Sequence, residues 1–228
     1  MRVVSLVPSV TETLVAWGIE PIAVTRFCEQ PGLRTVGGTK DPDIAGIVDL
    51  GPDLVVLDDE ENRREDAEAL RTAGLALHVT HVRGVGDVEK VLTSLAGAVG
   101  ADFAAGTFAD ELAAPQPAIR RVFVPIWRRP WMTMSSDTYG SSVLGRLGLA
   151  NVFSTSESRY PEVTPQQVDA TAPDLVLLPS EPYPFSERHI AEASRWAPDV
   201  RVVDGRDLFW WGTRTPAALR RLAQVAGA

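Results

Sequence analysis

A repeated hexapeptide constrains the fold of this chain more than any other feature. Residues 52–57 read PDLVVL, and residues 173–178 read PDLVLL. A short apolar run that is rich in branched side chains is typical of a strand buried on both faces of a parallel sheet. The chain therefore predicts two such strands, one in each half.

The elements that precede the two copies are also similar. Each half begins with an apolar strand, at residues 2–7 and at residues 121–126, and each strand is followed by a helix that ends at a glycine, Gly18 or Gly148. The same order of elements around the same hexapeptide indicates two α/β lobes of common ancestry. Two similar lobes predict a cleft between them.

Two helix-start signals lie upstream of the repeated strands. Asp41 before Pro42, and Thr164 before Pro165, each place a capping side chain ahead of a proline at the first helical position. Gln167 follows Thr164 by three residues and predicts a capping box.

We predict an α/β fold with two Rossmann-like lobes, each with a parallel sheet, bridged by a single long helix. The predicted boundaries are 1–84 for the N-terminal lobe, 85–117 for the interlobe helix and 118–228 for the C-terminal lobe. Apolar residues recur at helical spacing between the lobes. Gly97, Gly100 and Gly106 are points at which the helix could break, and residues 114–117, which read APQP, should stop it.

Composition excludes several classes of protein. A net charge of −8 argues against nucleic acid as a partner, because phosphates require a basic face. The apolar runs have the length of strands, which argues against a membrane span. Arg2 follows Met1 directly and leaves no room for a signal peptide, and the single cysteine, Cys28, fits a reducing compartment. We therefore expect a cytoplasmic protein.

Several segments together resemble a known superfamily. They are RVVSLVPSVTETL at residues 2–14, VGGTKDP at 36–42, NVF at 151–153, YPEV at 160–163 and the two PDLV strands. This set is similar to the helical-backbone metal receptors, which are class III substrate-binding proteins. That group includes the vitamin B12 binder of bacterial ABC importers and binders of siderophores and haem.

The resemblance implies a binding protein with its ligand held between the lobes. The tail segments look most like the B12-binding branch, which implies a corrinoid (cobalamin) as ligand, with a ferric siderophore or haem as alternatives. The resemblance implies no intrinsic cofactor; the metal would come with the ligand. With no signal in the chain as given, it looks like a cytosolic, standalone relative, and docking to an ABC permease through Glu65 or Glu187 is not carried over.

Polar candidates for the site follow the strands of the first lobe, because ligands of such sheets lie beyond the carboxyl ends of the strands. Ser9 and Glu12 are predicted to cap the first helix, and Ser9 or Thr11 could also touch a ligand. The loop at residues 58–61, which reads DDEE, either binds a cation or a donor-rich ligand through Asp58 and Glu60, or forms the acidic first turn of a helix. Cys28 is either a soft ligand contact or a buried thiol.

Aromatic candidates come from three loops of the second lobe. Flat rings on rigid loops suit a planar ligand such as a corrin, and the alternative is that they cover the core or a dimer contact. The predicted contacts are Trp127, Arg128, Trp131, Tyr183, Phe185, Trp210 and Trp211.

Two classes of function remain open from the sequence. One is a non-enzymatic small-molecule binder; the other is an enzyme that uses Asp58, Glu60 or Arg128. The histidines lack partners at the spacing of a zinc site. An enzyme needs titratable groups poised across a gap. No such pair is visible in the sequence, which favours the binder.

Overall fold

The computed structural model describes residues 1–112 and 116–227, which form two compact units. Unit 1 consists of Met1–Val82, Asp87–Ala109 and Trp211–Thr213. Unit 2 consists of Arg83–Gly86, Asp110–Trp210 and Arg214–Ala228, as far as these residues are described.

Unit 1 contains a four-stranded parallel sheet in the order β2-β1-β3-β4. Its core includes the buried side chains Val4, Leu6, Ile47, Val55 and Leu57. The elements in chain order are β1 (Val3–Ser5), α1 (Pro8–Ala16), β2 (Ala23–Val24), α2 (Ile44–Leu50), β3 (Leu54–Asp58), α3 (Arg64–Thr72) and β4 (Leu77–Thr80), followed by α4 (Val85–Val99) and α5 (Ala105–Glu111), each of which extends by two residues into unit 2.

Unit 2 contains a second four-stranded parallel sheet, in the order β10-β9-β5-β7, and a two-stranded antiparallel ribbon of β6 and β8. A short 3-10 turn, Glu187–His189, precedes α8. The elements are β5 (Arg120–Phe123), β6 (Trp131–Met132), α6 (Tyr139–Arg146), β7 (Leu149–Asn151), β8 (Glu162–Val163), α7 (Pro165–Thr171), β9 (Leu175–Pro179), α8 (Ile190–Ala193), β10 (Asp199–Val203), α9 (Gly205–Phe209) and α10 (Thr215–Ala226).

The two sheets repeat one topology, as the repeated hexapeptide predicts. In each unit the first strand is central, the second lies on one side of it, and the Pro-Asp-Leu-Val strand lies on the other side, followed by the fourth. Val4 pairs with Val55 in unit 1, and Phe123 pairs with Val176 in unit 2. All five residues of β3 and of β9 are buried, which explains their continuous apolar sequence.

The Pro-Asp pair of each repeat has a specific structural role. The backbone N–H of Arg2 donates to the Asp53 carboxylate at 2.6 Å, and the N–H of Arg121 donates to the Asp174 carboxylate at 2.8 Å. The backbone N–H of each aspartate donates back to the carbonyl of the same arginine. These reciprocal bonds fix the register of the two central strands, and we call each of them an Arg-Asp clamp.

Each clamp also closes the helix that precedes the repeated strand. The guanidinium of Arg2 donates to the carbonyl of Leu50 at the end of α2, and that of Arg121 donates to the carbonyl of Thr171 at the end of α7. Helix C-termini leave carbonyls without intrahelical partners and carry partial negative charge, so a cation is favourable at both places.

The segment predicted as one long helix forms two. α4 ends at Val99, Gly100 adopts a left-handed conformation with φ +74°, and α5 begins at Ala105. Gly100 is one of the predicted break points. The buried face of α4 carries Val88, Leu92 and Leu95, as the spacing predicts. Of the predicted stop at residues 114–117, residues 114 and 115 lie outside the described residues, and residues 116 and 117 belong to no helix or strand.

Two of the predicted helix starts are wrong, and one is confirmed. α1 begins at Pro8 with Val7 as a cap that makes no side-chain bond, so Ser9 and Glu12 form no capping box. α2 is capped by Asp43 rather than Asp41. The Thr164 capping box of α7 is present in full. In both wrong cases the cap lies on the other side of the neighbouring proline from the predicted one. Val7 precedes Pro8, and Asp43 follows Pro42.

The ends of α2 and α7 allow a direct test of backbone strain. Gly51 and Ala172 occupy equivalent positions, directly before the repeated Pro-Asp, and both adopt the left-handed region, with φ 55° and φ 44°. A residue with a Cβ is strained there. We expect Ala172→Gly to raise the free energy of unfolding by about 1 kcal/mol, measured by urea denaturation.

Gly51→Ala is the matched reverse variant. A Cβ at Gly51 would meet no atom within 4 Å, so only the backbone conformation opposes it. We expect it to lower the free energy of unfolding by about the same amount. A destabilising Ala172→Gly would contradict this assignment.

Candidate functional site

The loops at the carboxyl ends of the strands in unit 1 are joined by a buried asparagine. The Asn62 amide donates to the carbonyls of Leu6 and Thr39, at 3.2 and 3.0 Å, and its side-chain oxygen accepts from the N–H of Asp58 at 2.9 Å. Asn62 is buried and was not predicted, although it directly follows the acidic loop that the sequence singled out. It holds three loops in one arrangement.

Ser9 and Thr11 are both buried. Thr11 Oγ1 lies 2.8 Å from Ser5 Oγ and 3.0 Å from the Val7 carbonyl oxygen. Cys28 Sγ lies 3.2 Å from Thr11 Oγ1 and 3.3 Å from Thr25 Oγ1. The half-buried thiol therefore lies beside two hydroxyls, and Thr11 and Cys28 contact each other at this edge of unit 1.

Asp58 is also engaged within the fold. Its carboxylate accepts from the backbone N–H groups of Glu60 and Glu61, at 2.9 and 3.3 Å, and from the Thr80 hydroxyl at 2.7 Å. Burial raises the pKa of this carboxyl despite those bonds. The prediction that residues 58–61 form the first turn of a helix is wrong, because α3 begins only at Arg64. Asp58 closes a tight turn that leaves Glu60 half-buried.

The turn at residues 36–42 requires a glycine at position 37. Gly37 has φ +85°, and a Cβ on it would lie 2.4 Å from the Asp41 carbonyl oxygen. A Cβ on Gly38 would instead meet the ends of two side chains, the Asp41 carboxylate at 2.4 Å and the Arg26 guanidinium that donates to it. A side chain at position 38 would therefore displace this exposed ion pair without straining the backbone.

Phe27 is an exposed ring that the sequence did not single out. Its exposed fraction is 52%, and the Arg26 guanidinium lies 4.9 Å from its centroid. It precedes Cys28 in the loop after β2. The position of this loop after a strand, which made Cys28 a candidate, applies equally to Phe27. An exposed aromatic side chain stacked on a guanidinium is available to a flat ligand.

The aromatic candidates of unit 2 form one connected series. We call Trp127, Tyr183, Phe185, Trp131 and Trp196 the aromatic row. Trp127 meets Tyr183 edge-on at 5.5 Å, Tyr183 lies 4.6 Å from Phe185, and Trp131 stacks on Phe185 at 6.0 Å. Trp131 then meets Trp196 edge-on at 4.9 Å. Centroid distances of this size are typical of favourable aromatic pairs.

The aromatic row runs from solvent into the core. Trp127 has an exposed fraction of 43%, whereas Phe185 and Trp196 are at 2% and 6% and belong to the core of unit 2. Trp131 and Tyr183 are half-buried. Trp127 is the ring of the row that is most open to a ligand.

Arg128 does not project freely from the loop that carries it. Its Nε and Nη2 donate to the Glu192 carboxylate at 2.9 and 3.2 Å. Its guanidinium also lies 6.0 Å from the Trp131 ring.

The last two aromatic candidates, Trp210 and Trp211, differ in burial. Trp210 is half-buried, with the Arg214 guanidinium 5.6 Å from its centroid, and Arg214 in turn donates to the buried Asp207 at 2.7 Å. Trp211 is buried. The next residue, Gly212, has φ +140°, and a Cβ on it would lie 2.3 Å from Thr13 Oγ1 in α1.

Tyr160 is a second exposed ring that the sequence did not predict as a site residue. It is 38% exposed, with the Arg159 guanidinium 5.5 Å from its centroid. It lies in the YPEV segment at residues 160–163.

The described part of the chain holds no group of three or more His, Cys, Asp and Glu side chains that could bind a metal ion. His81 Nδ1 lies 2.6 Å from the Asp59 carboxylate. His189 Nδ1 accepts from the backbone N–H of Ser186 at 3.0 Å, and the ring packs against Tyr183 and Phe185.

His189 predicts a dependence of stability on pH. Burial, followed by the charges of Arg188 and Arg128, lowers the pKa of its imidazole. Below about pH 6.5 the unfolded chain therefore binds more protons at this residue than the folded chain, and stability falls as the pH is lowered. We expect His189→Gln, whose side-chain oxygen can accept from Ser186, to lose less stability than the wild type between pH 7.5 and 5.5 in urea unfolding. Equal losses would contradict this.

Comparison with known proteins supplies the family. A family model described as periplasmic binding protein matches residues 3–197. The chain belongs to this family. The predicted class of substrate-binding protein is confirmed, and so is the α/β fold with a parallel sheet in each of two lobes.

Curated relatives of similar sequence are named vitamin B12-binding proteins. The one from Salmonella typhimurium is 28% identical over 190 residues, which cover 78% of this chain and 71% of the relative. The one from Vibrio cholerae serotype O1 is 24% identical over a 246-residue alignment, which covers 98% and 87%.

Two solved structures share the fold. The periplasmic vitamin B12 binding protein of Vibrio cholerae superposes with a TM-score of 0.83 at 24% identity and covers 99% of this chain and 96% of its own. The periplasmic heme binding protein of the same organism has a TM-score of 0.82 at 20% identity, with coverage of 100% and 99%. No helix in the described ranges is both long and apolar enough to cross a membrane.

Proposed function

We propose that this protein binds a corrinoid, cobalamin in the simplest case, without chemical conversion. The observation that carries the proposal is Trp127, a ring left 43% exposed at the end of an otherwise packed aromatic row. The neighbouring Tyr183 holds the edge of this ring, so its orientation is fixed before a ligand arrives. A rigid exposed indole offers apolar area to a flat macrocycle at little cost in conformational entropy.

Other exposed or half-buried rings lie at strand ends or in loops of each unit. We propose Phe27, Tyr160 and Trp210 as further contacts, and Phe27 and Tyr160 each have a guanidinium about 5 Å from the ring centroid. The buried candidates Ser9, Thr11, Asp58, Phe185 and Trp211 act by holding the loops in place. The cleft predicted between the two lobes stays a prediction, and Phe27→Ala tests whether unit 1 contributes to binding.

Charge favours a corrinoid over haem. After the buried Asp58, the loop that follows β3 carries Asp59, Glu60 and Glu61, of which Asp59 and Glu61 are exposed. The rim of a corrin carries amide groups, whose N–H donors suit carboxylates, whereas haem carries two propionates that these carboxylates repel. The relatives of similar sequence named above are also B12-binding proteins.

Haem is the second candidate ligand. It is favoured by the haem-binding structure from Vibrio cholerae, whose TM-score nearly equals that of the B12-binding structure. A ferric siderophore remains the third arm of the test. A cytoplasmic location stays a prediction, and cell fractionation tests it. Docking to an ABC permease is not part of the proposal.

A titration of the purified protein separates the three ligands. We expect cyanocobalamin to bind with a single site in isothermal titration calorimetry and to quench tryptophan emission, because a corrin on Trp127 accepts its excitation energy. We expect haem and a ferric siderophore to bind at least tenfold more weakly. Tight binding of haem alone would replace the corrinoid, and binding of none of the three would overturn the proposal.

A single substitution tests the location of the site. We expect Trp127→Ala to weaken cobalamin binding by more than tenfold, because the exposed face of the ring is lost, while the far-UV circular dichroism stays unchanged. Trp17→Ala is the matched control. Trp17 is a half-buried tryptophan at the C-terminal end of α1, and it packs on Phe103 at 5.8 Å. Equal affinity in folded Trp127→Ala protein would contradict the assignment.

A further inference from the structure

Arg128 ties the loop that carries Trp127 to α8. It lies in the loop between β5 and β6, next to Trp127. Its guanidinium donates twice to Glu192 on α8. The same group lies 6.0 Å from the Trp131 ring, so it sits alongside the aromatic row. The backbone N–H of Tyr183, in the segment that follows β9, donates to the carbonyl of Ile126 in the same loop at 3.3 Å.

We infer that Arg128 and Glu192 are positioning residues, which fix the Trp127–Tyr183 pair for the ligand without touching the ligand themselves. This inference rests on the proposed function, because it assigns the pair as the binding surface. It gives Arg128 an indirect role in binding, in place of the direct ligand contact that its position beside Trp127 predicted.

The geometry of the guanidinium supports this role. Two of its nitrogens are committed to both oxygens of the Glu192 carboxylate, which is the paired arrangement that fixes a planar fork most firmly. The side chain is only 20% exposed, so little of it remains for a ligand. A lysine could neutralise Glu192 but lacks the planar fork that makes both bonds at once.

The consequence for Trp127 follows from the contacts of its loop. The Arg128–Glu192 pair fixes the residue next to Trp127, and the Tyr183 ring meets Trp127 edge-on at 5.5 Å. His189 packs against Tyr183 at 5.7 Å. If the bonds between Glu192 and Arg128 are lost, the loop loses one of these restraints, and the exposed indole samples more orientations. Binding then requires the ring to be ordered again, which weakens affinity.

Glu192 is 40% exposed, so its ion pair contributes little to folding stability. This separates the two roles in an experiment. A positioning role changes affinity with little change in the midpoint of thermal unfolding, whereas a merely structural role changes the midpoint and leaves the affinity alone.

The variants are Glu192→Gln and Arg128→Lys, and each is measured by cobalamin titration and thermal unfolding. We expect the dissociation constant to rise three- to tenfold in both. The matched control is Asp169→Asn, which breaks the exposed pair between Asp169 and Arg195, another arginine 6.0 Å from a tryptophan, Trp196. We expect this control to leave the dissociation constant unchanged.

A double-mutant cycle tests whether Glu192 acts through Trp127. In the Trp127→Ala background we expect Glu192→Gln to change the dissociation constant by less than twofold, because the ring that it positions is gone. An equal three- to tenfold loss in both backgrounds would overturn the inference, and so would an unchanged affinity in the single variants.

The inference also has a test without ligand, which keeps it distinct from the proposed function. In the ligand-free protein, Glu192→Gln should weaken the near-ultraviolet circular dichroism and raise the acrylamide quenching of tryptophan emission, and Asp169→Asn should do neither. If no corrinoid binds but these signals change, the positioning role stands and the ligand is wrong. If the signals do not change, the positioning role is wrong.

Discussion

The Arg-Asp clamp is the interaction on which both units depend. In each unit the aspartate that opens the repeated strand exchanges hydrogen bonds with the arginine that opens its neighbour, and the same arginine closes the preceding helix. A one-residue slip would break all of these bonds at once and would exchange the side chains that β3 or β9 packs against the two buried faces of its sheet. The clamp sets the amino ends of the strands, and the strand register carries that setting to the opposite edge, where the loops begin.

The duplicated scaffold presents unlike loops at that edge. In unit 1 the loop after the repeated strand is acidic and is tied down by Asp58 and Asn62. In unit 2 the equivalent loop carries Tyr183 and Phe185, which join the aromatic row. Asp58 and Phe185 are the buried members of these two loops, and Phe27 and Trp127 are the most exposed rings among the described residues. The repeated topology therefore accounts for the scaffold, and the different loops account for the proposed chemistry.

The strands and most helices could be predicted from the sequence because the signals are local. Buried strands have continuous apolar sequences, and Thr164 followed three residues later by Gln167 indicates a capping box. The two-residue strands β6 and β8 could not be predicted, since two residues show no periodicity. At the site, the sequence located the loops that carry Trp127 and Cys28 but could not tell Trp211, which is buried, from Trp127, which is exposed. The partner that fixes Arg128 lies on α8, far along the chain, so no local pattern reveals it.

The most direct test of the central claim is a crystal structure of the protein grown with cyanocobalamin. We expect a corrin in van der Waals contact with the exposed face of Trp127, with the Arg128–Glu192 pair intact. A corrin bound elsewhere, with Trp127 still facing solvent, would contradict the assignment of Trp127 as the binding surface.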